Sequence, residues 1–159
     1  MGNTVTRYLA LCLTLLLSLP ALAERLDDSL SPRQQYDIEL DWKHPQHGDD
    51  LDEREFNALL AHARHVEVRL NTAPYTGMQA RIYIRLPLNI RGTADSTAMR
   101  MSWTTNGEFA SGSVTAGTRS RLFEGESTRD VMGDIFDFTV EIDARQVYNT
   151  LRLEPVYDI

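Results

Sequence analysis

The sequence predicts a mainly β protein, an antiparallel sandwich of immunoglobulin-like type with about seven or eight strands and one inserted helix. Three observations carry that expectation. Most of the chain after Tyr36 alternates apolar and polar residues with period two, the mark of strands with one buried face. Turn-forming clusters separate these runs. A single stretch, from Asp52 to Arg64, departs from the alternation and spaces its apolar residues for a helical face.

The first element precedes the domain. Arg7 and the free N-terminus make a short positive region, Tyr8 to Leu19 is apolar, Pro20 breaks it, and Ala21-Leu22-Ala23 offers a small-x-small cleavage site. These parts, in this order, are those of a secretory signal peptide over residues 1–23. The uncharged run is shorter than the roughly 20 apolar residues of a membrane-spanning helix. The expectation is therefore export to the periplasm or beyond, with no stable membrane span in the mature chain. Met1-Gly2 with Thr6 also fits the loose myristoylation pattern, but the apolar run that follows favours the signal. Cys12 is the single cysteine and lies inside the segment to be removed. The exported chain is then free of thiols and disulfides, which suits an oxidising compartment.

Residues 24–159 are the size of one domain. Residues 24–35 are polar, contain Pro32 and lack a period, so they read as a flexible leader; residues 36–159 form the domain. The full sequence carries a net charge of −7, and cleavage removes one arginine and no acid. An acidic surface disfavours nonspecific binding to nucleic acid or anionic lipid.

The strands follow in order. Tyr36, Ile38, Leu40 and Trp42 alternate with Asp37, Glu39 and Asp41. The helix is next: Leu51, Phe56, Leu59, Leu60 and Ala63 share a face, Asp50 and Glu53 have capping-box spacing, and Arg64 ends the run. Val66 to Leu70, Ala80 to Ile90, Met99 to Trp103, Phe136 to Ile142 and Leu151 to Tyr157 each alternate, with weaker strands around Glu108 to Val114 and Arg119 to Glu124. Asn106-Gly107 is the strongest hairpin signal, since both residues tolerate positive φ. A short helical turn is expected within 143–149.

Candidate chemistry is sparse. All four histidines fall in two H-x-x-H pairs, His44 with His47 and His62 with His65. Imidazole is the commonest protein ligand for zinc and copper, so these four are the candidate metal ligands, and zinc or copper the candidate cofactor. The acids from Asp49 to Glu55 lack the spacing of a calcium loop and suit helix capping instead. No nucleophile elbow, H-E-x-x-H or phosphate loop occurs. A hydrolase would need a carboxylate pair that no motif marks.

The last signal is charge. Asp37, Glu39 and Asp41 make the first strand acidic outside, while Arg81, Arg85, Arg91 and Arg100 make later strands basic. Cross-strand pairing within one sheet accounts for this. The sharper expectation is an interaction surface, in which an acidic strand behind a loose leader pairs with a protein partner or a second copy. Sequence alone thus points to an exported domain acting by binding or assembly, with a metal-binding protein and a hydrolase as the alternatives.

Overall fold

The computed structural model describes residues 23–32, 40–43 and 57–159. Within them the chain is mainly β, and every sheet is antiparallel. The strands are β1 (Leu40–Trp42), β2 (Ala58–Asn71), β3 (Gln79–Arg85), β4 (Arg91–Thr93), β5 (Arg100–Thr105), β6 (Gly112–Thr115), β7 (Arg119–Glu126), β8 (Val131–Asp143), β9 (Val147–Arg152) and β10 (Val156–Asp158). They form a five-stranded sheet in the order β1-β2-β8-β5-β6, a three-stranded sheet β10-β3-β7, and a two-stranded ribbon β4-β9.

The period-two pattern places the core. On β8, Met132, Phe136, Phe138, Val140 and Ile142 point inward, and β5 adds Met101 and Trp103. Ile82 and Ile84 of β3, Leu122 of β7 and Tyr157 of β10 join the same buried cluster from the three-stranded sheet. Phe136, fully buried, stacks on Phe138 at 5.1 Å and meets Phe109 at 5.9 Å. Trp103 turns its ring against Gly112 and donates its indole N–H to the Ala110 carbonyl at 2.8 Å. Each such aromatic side chain buries a large apolar area and adds to the core's stability.

The helix expected from Asp52 to Arg64 is corrected where the structure describes it: Ala58 to Arg64 is the first half of β2. The strand goes on through a β-bulge. Ala63 pairs with Phe138 and Val66 with Phe136, so β2 spends one extra residue on that step. His65 sits in it at φ 57° and donates its backbone N–H to the Asp137 carboxylate at 2.8 Å. Inward residues are therefore Leu59, Ala61 and Ala63 before the bulge and Val66, Val68 and Leu70 after it. The helical spacing rests on Leu59, Leu60 and Ala63: Leu59 and Ala63 do face inward, but Leu60 lies on the opposite face of the strand, and its apolar side chain masks the alternation. Residues 51–56 lie outside the described part.

Other boundaries moved for local reasons. The run from Ala80 to Ile90 ends as a strand at Arg85, because Pro87 has no N–H for a ladder; Leu88 is half exposed. Pro155 likewise divides the last run into β9 and β10. The Asn106-Gly107 turn is a longer loop, closed by the Asp134 carboxylate, which accepts from the N–H groups of Gly107 and Phe109 at 3.1 Å. The helical turn expected within 143–149 is a 3-10 turn at Ala144–Gln146, capped by Asp143. An immunoglobulin domain sets its last two strands side by side in one sheet. Here β9 pairs with β4 and β10 with β3, so that order is not reproduced.

The leader's first residues are held. Glu24 and Ile159 exchange backbone hydrogen bonds at 3.2 and 2.9 Å, Arg25 bridges Asp158, and Leu26 is buried. Tyr75 donates its hydroxyl to the Glu24 carboxylate, which raises the pKa of that phenol.

Candidate functional site

Two of the four histidines, His62 and His65, lie within the described residues. His44 and His47 lie outside the described residues. His62 stands on the outer face of β2, its Nδ1 3.0 Å from the Thr139 hydroxyl, and His65 sits in the bulge. Both side chains are exposed on β2, with Ala63 and Val66 turned inward between and after them. Among the described residues, no group of three or more His, Cys, Asp or Glu side chains is gathered to hold a metal ion.

The charged strands place as follows. Asp37 and Glu39 lie outside the described residues, and Asp41 is exposed on β1. Arg81 on β3 faces its register partner Glu124 on β7 at 2.8 Å. That hydrogen bond is the largest influence on the Glu124 carboxyl and lowers its pKa. Arg85 pairs with Asp158 on β10 at 3.2 Å, and Arg100 donates to the Ser113 hydroxyl at 2.9 Å. Lys43 reaches Glu141 on β8 at 2.7 Å. These basic side chains are engaged within the chain's own sheets. Surface pairs of this kind add little stability each, but they hold the side chains in place.

Two surfaces were not visible in the sequence. The first is the β1 edge. Leu40 pairs with Ala61 and Trp42 with Leu59, which puts both on the inward-facing side of the five-stranded sheet. Yet Leu40 is 41% and Trp42 49% exposed. Among the described residues, the sheet's apolar face thus runs past the cover that buries its centre. The alternation revealed which residues share a face, but not where the opposing layer stops.

The second is a cleft of about 380 Å³ where the β4-β9 ribbon meets the end of β10, with Arg25, Arg91, Arg152 and Glu154 among its lining residues. Arg91 and Arg152 are register partners across the ribbon. Arg152 pairs with Glu154 at 2.6 Å. Among the described residues, the Arg25 and Arg91 side chains have no ion-pair partner. Three arginines from the leader, the middle of the chain and its end meet only through topology. Arg91 is legible in the sequence among the basic strand residues, while no motif singles out Arg25 or Arg152.

No family model, curated protein or solved structure matches the chain. Among the described residues no helix is long and apolar enough to cross a membrane.

Proposed function

We propose that the chain is an exported two-layer β-sandwich domain that acts by protein–protein binding, with the β1 edge as its contact surface. The observation that carries this reading is the pair Leu40 and Trp42, large apolar residues exposed on an edge strand. An edge strand presents unpaired backbone donors and acceptors along its outer side, and protein sheets normally guard such edges with charge, bulges or cover. Here the edge carries an indole and an isobutyl group beside Asp41 and Lys43. Strand addition uses backbone bonds for affinity and alternate side chains for specificity, and tryptophan is among the residues that most often dominate an interface. The partner is a second copy or another exported protein.

Three experiments test this. Cell fractionation with N-terminal sequencing should find the chain outside the cytoplasm and beginning at Glu24; a cytoplasmic chain that keeps its first residues would contradict export. A photo-crosslinking side chain at position 42, in producing cells, should give discrete adducts that the same group at exposed Thr128 does not. Sedimentation of the purified mature chain separates the partners: self-association lost in Trp42→Ser identifies a second copy. A monomer at high concentration that also forms no adduct at position 42 beyond the Thr128 control would end the reading.

A further inference from the structure

A different observation, independent of the β1 edge, points to a ligand. Residues directly opposite in an antiparallel pair project to the same side of the sheet, and like charges in that position destabilise it. Arg91 and Arg152 occupy such a position in the two-stranded ribbon β4-β9. Among the described residues no third strand supports the ribbon, and its closest approach is demanding. Gly92 lies at φ 96°, and a Cβ there would stand 2.4 Å from the Thr150 carbonyl oxygen. The chain therefore brings β4 and β9 together tightly and sets two arginines opposite each other where they meet.

Glu154 relieves Arg152 only in part, because both side chains are about two-thirds exposed and well solvated. A third arginine faces the same space. Arg25 is carried there by its bridge to Asp158, while the Asp158 carboxylate is committed to Arg85. The cleft thus gathers three guanidinium groups against one carboxylate, over a floor that includes the buried Ile90. Its volume lies in the range of small-ligand sites. Guanidinium forks match the paired oxygens of carboxylates and phosphates, and charge-assisted bonds of that kind are the strong ones.

We propose that this cleft binds a small ligand bearing two or more oxyanion groups, carboxylate or phosphate, held by Arg91 and Arg25 with Arg152 shared between the ligand and Glu154. The anion lies between the opposed arginines of β4 and β9 and turns their repulsion into a clamp.

The test is calorimetric titration of the mature chain with citrate and with pyrophosphate at constant ionic strength, so that the two probes distinguish carboxylate from phosphate. Saturable binding of one probe molecule per chain is expected for at least one of them. Arg91→Gln and Arg25→Gln should each weaken it at least tenfold, and Arg129→Gln, outside the cleft, should leave it unchanged. Glu154→Gln should tighten binding, because it removes the competing carboxylate; a merely misfolded variant would not do that. Without probe, Arg91→Gln should melt no lower than wild type, and it should lose the upward melting shift that the probe gives wild type. Absence of saturable binding by both probes overturns the proposal. So does equal weakening by Arg91→Gln and Arg129→Gln, which would mean diffuse charge attraction. Neither result bears on the β1 edge, whose variants leave the cleft intact.

Discussion

The β2-β8 pair and the β4-β9 pair are both antiparallel, yet they are built on opposite terms. β2 and β8 run together from Ala58↔Asp143 to Asn71↔Val131, and their inward residues meet one another and the opposing sheet. Their one irregularity, the bulge at Arg64 and His65, is answered by the Asp137 carboxylate. The β4-β9 pair is short, shifts register between Arg91 and Thr93, relies on a glycine at positive φ, and opposes two arginines. The first pair is complete within the chain. The second holds its charge in a form that an outside anion completes. Stability and binding are thus assigned to different regions, as expected when low-stability elements carry ligand sites.

The comparison breaks first at its strong end. Phe136→Ala removes a fully buried ring from the β8 stack with Phe138 and Phe109. Such truncations cost about 3–5 kcal/mol, which should appear as a large fall in the denaturant midpoint. An effect below about 1 kcal/mol, ordinary for surface positions, would mean the β2-β8 region is not the stabilising centre. Gly92→Ala is next. A side chain there combines a disfavoured φ with a collision against the Thr150 carbonyl, and a cost of about 1–3 kcal/mol follows from the backbone strain alone. Binding to the cleft should fall with it, since Arg91 loses its alignment with Arg152.

A smaller effect lies where the two regions join. Asp143 ends β8 and caps the turn into β9; its buried carboxylate is bound by the Arg145 guanidinium at 2.6 and 3.1 Å. That hydrogen bond is the largest influence on its pKa, and outweighs burial to lower it. A carboxyl whose folded pKa is depressed contributes stability above its unfolded pKa, near 3.9, and loses it as pH falls through the lower folded value. Urea midpoints measured from pH 6 downward should therefore drop below about pH 4, and Asp143→Asn should flatten part of that drop. An unchanged acid limb in the variant would remove Asp143 from the account.

Much of the strong region was legible in the sequence. The alternation from Phe136 to Ile142, at Ala80 to Ile84 and at Met101 to Trp103 correctly separated buried from exposed residues, because period two depends only on local geometry. The first half of β2 was misread because Leu60, apolar on the outer face, breaks the alternation of Leu59, Ala61 and Ala63. Pro87 and Pro155 were present in the sequence, yet the apolar residues beyond them continued the pattern and hid the breaks. The sites were far less legible. Trp42 reads as an inward residue, and only the extent of the opposing sheet shows that it is exposed. Arg25, Arg91 and Arg152 have no shared motif; the pairings of β4 with β9 and of the leader with β10 bring them together.

Amide hydrogen exchange measures the contrast most directly. In the chain from Glu24 to Ile159 without added anion, β2 and β8 should exchange slowly across their paired length, while β4 and β9 exchange orders of magnitude faster. Saturation with the probe that binds should slow β4 and β9 selectively and leave β2 and β8 unchanged. If β4 and β9 were already as protected as β2 and β8 without an anion, or if the bound probe left their exchange unaltered, the ribbon would need no outside charge and the account would be contradicted.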